Sequence, residues 1–456
     1  MEGQPQHTTN PQIPAKQNIR LLLIIFVALI LSTGIYFVNL DIKQNKKAEE
    51  IRQNYSRLLE QGEYQNKENY QLAQDSLKKS LDKIYGRVDE LGKQGQYIAA
   101  AEELKKLMTL FPENKDIPQK INALETVRQE EEKSLVPYYG PVQHIFFHPL
   151  IAFPALTFDG DLQSNGFNQW FVTIPEFNKI IESIYAKGFI LVDIKDLYEM
   201  KKVEDKETVV PRALYLPKGK RPMVLSIDDL NYYPYMIQNG TVHKLIVDTA
   251  GKIATYSKSS EGKETISYDN EIVPILDQFI EKHPDFSFRG AKGVIALTGY
   301  EGILGYRTDE LQSPLFSKEK EEALRVVQVM KESGWSFASH GYGHLNTRDV
   351  PYERLAADTQ RWKKEVEPLI GHTDVYIYPF GASVKPEDPK FKFLQEEGFK
   401  IFCSVGPNPY LKYSDQYVLM DRRHIDGVAL ILQADMMKDL FDSKMVLDPV
   451  RPPLKF

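Results

Sequence analysis

The sequence predicts an α/β fold built from parallel strand–helix units, on three observations. Short apolar runs each stop at a polar motif. Met223 to Ile227 runs into Asp228-Asp229, Val294 to Leu297 into Thr298-Gly299-Tyr300-Glu301-Gly302, and Trp335 to Ser339 into His340. Val375 to Tyr378 runs into Pro379-Phe380-Gly381, and Ile401 to Val405 into Gly406-Pro407. Between these runs lie stretches such as Lys318 to Glu332 and Tyr352 to Leu369, with apolar residues three to four apart, the spacing of amphipathic helices. Alternating strands and helices of these lengths imply a parallel sheet. The polar groups collect at the carboxyl ends of the strands, where such folds carry their function.

Those ends carry a recognisable donor set. Two adjacent carboxylates, Asp228 and Asp229, close one strand, and a His-x-x-x-His pair, His340 and His344, follows another. One carboxylate and two imidazoles make a catalytic zinc-type ligand set with a position left for water, and the second carboxylate is then free to act as a base. Alone, an Asp-Asp pair is commonly a turn and two neighbouring histidines are commonly surface residues. Their shared setting at strand ends favours the metal reading. Gly341 and Gly343 flank Tyr342, which places the histidines on a tight loop, because glycine weakens helices.

From about Tyr138 onward the chain resembles a polysaccharide deacetylase domain of the carbohydrate esterase 4, or NodB-homology, type. Ser226-Ile227-Asp228-Asp229-Leu230 stands for the family's Thr-Phe-Asp-Asp-Gly, and His340-Gly341-Tyr342-Gly343-His344 for its His-Ser/Thr-x-x-His. Tyr378-Pro379-Phe380-Gly381 resembles its Tyr-Pro-Tyr-Gly turn, and Phe147-His148 the Tyr-His of its first strand. The motifs occur in the family's order. The resemblance implies a distorted (β/α) barrel and metal-assisted amide hydrolysis. It implies Asp229, His340 and His344 as metal ligands, Asp228 as general base and His424 as general acid. It also implies an oxyanion and substrate contact at Phe380 and Tyr378. The metal implied is divalent, zinc first, with cobalt, nickel or manganese as alternatives. Leu230 stands where the family has glycine, Gly341 where it has a hydroxyl residue, and no arginine precedes Tyr378-Pro379 to pair with the base. A positive φ at Leu230 would be strained.

The chain's 456 residues allow two or three domains. Its net charge of −6, with basic residues spread out, carries no nucleic-acid signature. The one cysteine, Cys403, lies in an apolar run and reads as a small core residue; internal disulfides and a cysteine-ligated zinc are excluded. His372 reads as a loop residue, and His148, ending a strand, as a structural histidine.

Residues 1–20 read as a cytoplasmic tail and residues 21–40 as an uncleaved transmembrane anchor. The latter hold no charge and, at ~1.5 Å per residue, span ~30 Å, the thickness of a bilayer core. Lys16 and Arg20 flank one side, but Lys43, Lys46, Lys47 and Arg52 flank the other, so the positive-inside count opposes an external barrel. The external placement rests on the resemblance. Residues 41–135 read as a helical spacer in which Leu58-Leu59-Glu60-Gln61-Gly62-Glu63-Tyr64 recurs as Leu91-Gly92-Lys93-Gln94-Gly95-Gln96-Tyr97, a tetratricopeptide-like repeat suited to a protein partner or self-association. Residues 136–456 form the barrel, with an insertion at about 231–293 that opens with Tyr232, Tyr233 and Tyr235 and carries a hairpin near Ala250-Gly251. Those tyrosines either stack on sugar rings or pack the hairpin; Tyr300 and Tyr306 line or brace the cleft.

Two function classes follow. One is a membrane-anchored, metal-dependent deacetylase of an N-acetylated cell-surface polysaccharide, peptidoglycan or exopolysaccharide. The other is a non-catalytic glycan-binding or scaffolding relative, which Leu230, Gly341 and the single candidate acid would suit.

Overall fold

The computed structural model describes residues 81–455 except 83, 112 and 113. The expected anchor at 21–40 and the first repeat copy, Leu58 to Tyr64, lie outside the described residues. Among the described residues no helix is long and apolar enough to cross a membrane. The chain divides into two compact units, Met1–Glu130 and Glu131–Phe456.

In the first unit the described part of the expected spacer, from residue 81 on, is helical. A helix over 84–93 ends at Gly95 (φ 70°), and the next runs Tyr97–Leu110. Ala100, Leu104 and Leu107 recur on one face and pack with Val88, Leu91 and Ile117.

The second unit is a closed ring of seven parallel strands. In chain order they and one further strand are β1 (Gln143–Phe147), β2 (Phe189–Leu191), β3 (Arg221–Asp228), β4 (Gly293–Leu297), β5 (Trp335–Ser339), β6 (Val375–Ile377), β7 (Ile401–Val405) and β8 (Val418–His424). The ring runs β3-β4-β5-β6-β7-β8-β1 and back to β3. β2 stands outside the cycle and pairs with the first residues of β3, Arg221 to Met223, whereas β4 pairs with its last, Ser226 to Asp228. That shared edge distorts the expected barrel.

Successive strand residues face opposite sides, and the core divides accordingly. Val224, Ala296, Ala338, Ile377, Cys403 and Met420 share a cluster that holds no residue of the flanking helices and fills the barrel. Their neighbours Leu225, Ile227, Leu297, Phe337 and Phe402 pack instead with helix residues Ile180, Val326 and Trp362. Small residues such as Ala296, Ala338 and Cys403 suit the crowded interior. The same alternation carries Ser226 and Asp228 inward on β3 after Val224, Arg422 inward on β8 after Met420, and His144 inward on β1. The lumen is thus apolar over most of its length and polar at the carboxyl-end mouth.

The flanking helices begin close to where the sequence placed them. One spans Phe316–Glu332 with Ala323, Val326, Val327 and Met330 buried. The other, read as continuous from Tyr352 to Leu369, runs Tyr352–Glu365 and restarts at Glu367–Ile370. Pro368, which lacks an N–H and crowds the preceding turn, accounts for the break. Thr173 and Glu176 form a reciprocal capping box at the start of Ile174–Ala186. The insertion holds the expected hairpin, Lys244–Val247 against Ile253–Lys258 with Gly251 at φ 84°, extended by Glu264–Ser267. Tyr306 is buried and donates to the Leu245 carbonyl (2.9 Å), so it braces the hairpin.

Candidate metal centre

Asp229, His340 and His344 converge, each offering a donor atom within 4.8 Å of the others. Asp229 follows the end of β3, His340 follows the end of β5, and His344 lies four residues further along a loop. The amides of Asp229 and His340 bond to Ala296 and Leu297 of the intervening β4, which fixes both strand ends at one height. The loops after β4 and β5 are tied together, since Gly299 and Tyr300 both donate to the Tyr342 carbonyl.

Two site residues and a neighbour hold left-handed backbone: Asp229 (φ 56°), His344 (φ 51°) and Phe380 (φ 58°). Such conformations are uncommon outside glycine and cluster at functional sites. Leu230 is not among the positive-φ residues; it is buried in the core, so the strain expected of it falls one residue earlier, on Asp229. Gly341, at φ 67°, takes a conformation open to glycine, and its place as the non-hydroxyl residue of the loop is a backbone requirement. The loop is fixed instead by Asp358, on Tyr352–Glu365, whose two carboxylate oxygens accept from the amides of Tyr342 (2.7 Å) and Gly343 (2.8 Å). Burial raises the Asp358 pKa, against those amides.

The donor chemistry fits a divalent metal. The ring Nδ1 of His340 lies 2.8 Å from the Ile377 carbonyl, which can only accept, so Nδ1 carries the proton and Nε2 keeps its lone pair. Burial pushes the His340 pKa down to about 4, so the imidazole is neutral near pH 7. His344 Nε2 and Asp229 Oδ2 are 3.5 Å apart, close to the ~3.4 Å separating two tetrahedral ligands at ~2.1 Å from a metal. The Tyr233 hydroxyl donates to the other oxygen of Asp229 (2.9 Å) and orients it.

Asp228 is paired from below. Arg422 of β8 donates two parallel bonds to its carboxylate, 2.7 and 2.9 Å long. Burial works against the ionised form, but Arg422 together with the neighbouring His340 and His148 more than offsets it and brings the pKa down to about 2. The sequence offered no arginine before Tyr378; the base's partner comes from another strand, and its signal was the inward register of Arg422 two residues before His424. Arg422 also donates to Ser226 Oγ (3.1 Å), so the Ser226 hydroxyl turns its proton toward His144 Nε2, 3.0 Å away. Burial drives the His144 pKa well down, which leaves it neutral and able to accept there.

His424 sits with Nδ1 2.7 Å from Asp426 and Nε2 3.0 Å from Gln433 Oε1. Burial lowers its pKa, yet Asp426 and Gln433 more than offset this and hold it above the ordinary value. Phe380 is 68 % exposed, its ring 4.4 Å from that of His344. Tyr378 is a correction: the expected substrate contact is 1 % exposed, packed edge-on against Tyr376, so its side chain is a brace. His148 bonds the Trp170 carbonyl through Nδ1 and lies against Phe171, while His372 is exposed beside Glu367, both as read from the sequence.

Residues 315–393 match the polysaccharide deacetylase family model. The matched span holds His340, His344 and the turn at Phe380; the carboxylates on β3 precede it. No curated protein sequence matches the chain. Among solved structures, this chain is similar to the Streptococcus pyogenes deacetylase PplD in complex with acetate, at 13 % identity and a TM-score of 0.35 over 64 % of this chain and 94 % of that one. A pseudoenzyme of the CE4 family from Bacillus anthracis is similar at 12 % identity and a TM-score of 0.22, over 37 % of this chain and 54 % of that one.

Proposed function

We propose that this chain is a metal-dependent deacetylase that removes N-acetyl groups from a cell-surface polysaccharide, held at the membrane by residues 21–40 with its barrel outside. The observation that carries the reading is the convergence of Asp229, His340 and His344 beside a second, arginine-paired carboxylate. A divalent metal held by those three side chains would polarise the acetyl carbonyl and acidify the attacking water. Asp228, ionised and held in plane by Arg422, takes one proton from that water as its oxygen bonds to the carbonyl carbon. The main-chain N–H at Phe380, on the outward-turned loop beside His344, supports the oxyanion. His424, its pKa held above the ordinary value by Asp426, gives its Nε2 proton to the amide nitrogen as the C–N bond breaks, leaving acetate and a free amine. For that step the substrate nitrogen takes the place of Gln433 Oε1.

The Gln433 contact is the observation that favours the non-catalytic alternative, since it occupies the atom the acid needs. Release of acetate from N-acetylglucosamine oligomers by the full chain, with chelator and with zinc restored, decides between them. The deacetylase reading expects zinc-dependent acetate; no acetate under any metal, with a folded protein, sinks it.

A further inference from the structure

Three tyrosines lead outward from Asp229. Tyr300 and Tyr233 are stacked, centroids 4.6 Å apart and rings inclined 16°, and Tyr235 stacks on Tyr233 at 5.8 Å and 18°. The middle ring, Tyr233, is anchored to the site through its hydroxyl on Asp229. The outer member behaves differently from a packing residue. Tyr235 is 41 % exposed, and its hydroxyl makes no hydrogen bond among the described residues. Phe167 meets its ring edge-on at 6.3 Å and steadies it from the side. The backbone also sets this ring. Tyr232 holds a left-handed φ of 53°, and Pro234 opens the short Pro234–Gln238 helix that carries Tyr235. Partial burial, then the Asp229 carboxylate, raise the Tyr235 pKa, so its hydroxyl remains a donor throughout the neutral range.

We propose that Tyr235 is a sugar-stacking subsite continuous with the metal centre, so that the substrate is an oligosaccharide or polymer whose neighbouring unit lies on this ring. This deepens the deacetylase reading and rests on it. A pyranose has an apolar face of axial C–H bonds that packs on an aromatic plane, and hydroxyls at its edge that a free phenol can meet. A ring stacked on a buried ring is already ordered, so little conformational entropy is lost when a sugar docks. The Tyr232 and Tyr233 rings are buried and belong to the packing class; Tyr235 alone of the three offers a face to a ligand.

The test uses the full chain carrying Asp228→Asn, so that binding is read without turnover. The N-acetylglucosamine tetramer and the monosaccharide are titrated as probes. The tetramer is expected to bind at least about tenfold more tightly than the monosaccharide, and Tyr235→Ala to remove most of that difference, while Tyr235→Phe keeps at least half of it on a logarithmic scale. Monosaccharide affinity stays unchanged in Tyr235→Ala. Tetramer binding that is indifferent to Tyr235→Ala overturns the subsite, as does failure of the tetramer to bind. The two readings fail separately. Tyr235-dependent tetramer binding in a protein that releases no acetate sinks the deacetylase and keeps the subsite; acetate release from the tetramer that Tyr235→Ala leaves untouched does the reverse.

Discussion

Two carboxylates adjacent in sequence do different work because of what surrounds each. Asp229 turns out of the strand and meets His344, whereas Asp228 ends the strand facing into the barrel and meets Arg422. Replacing Arg422 by Met leaves Asp228 buried and unpaired, and this is expected to cost about 3–5 kcal/mol of stability. Urea unfolding of the variant measures it, and a loss below about 1 kcal/mol would show that the pair is not needed to hold the barrel mouth. Asp426→Asn keeps a side-chain oxygen that can accept from the Ala429 amide, but removes the charge that raises the His424 pKa. With that pKa lowered, the acid form is lost at lower pH. The alkaline limb of kcat/KM is expected to move down by about one pH unit. An unmoved limb would mean His424 is not the acid. The convergence of Asp229, His340 and His344 was legible in the sequence because their motifs are local. Arg422 and Asp358 were not, since each acts on a partner brought near only by ring closure or by helix packing.

At the scale of elements, the strands were readable from their apolar runs and abrupt polar ends, and the insertion hairpin from its glycine. The break at Pro368 and the shared edge of β3 were not, since the latter depends on two strands dividing one partner. Glu271 caps Ile272–Lys282 from inside the core, accepting from the amides of Ile272 and Leu150. Burial raises its pKa to about 8, with those amides opposing. Its proton is therefore bound more tightly in the fold than in the unfolded chain, whose value is near 4.5. Stability from this group is fully present below that lower value and is lost as pH rises through about 8. Glu271→Gln should flatten the fall in Tm between pH 6 and pH 9, which thermal melts across that range would show; an identical slope contradicts the assignment.

In the second unit, Arg451 and Asp448 clasp the start of the Ile174–Ala186 helix. Arg451 is buried and bonds Glu176 through Nε (2.8 Å) and Nη2 (2.5 Å), and also the carbonyls of Asn168 and Phe171. Asp448 accepts from Thr173, the cap of the same helix. Arg451→Ala strands the Glu176 carboxylate and is expected to cost about 3–5 kcal/mol, with metal content intact in the protein that remains folded. Nothing in the sequence marked this clasp, because its partners lie about 275 residues away. The barrel, its seven-strand closure and the polar mouth bring together one arrangement, Asp229, His340 and His344 converging with the arginine-paired Asp228 beside them. Metal content and acetate release, read on the same samples of Asp229→Ala, His340→Ala, His344→Ala and Asp228→Asn, test that arrangement most directly. The account expects the first three to lose bound metal and Asp228→Asn to keep it while losing turnover, since asparagine fills the same space but cannot take the proton. Full metal stoichiometry in all three ligand variants, or undiminished acetate release by Asp228→Asn, would contradict it.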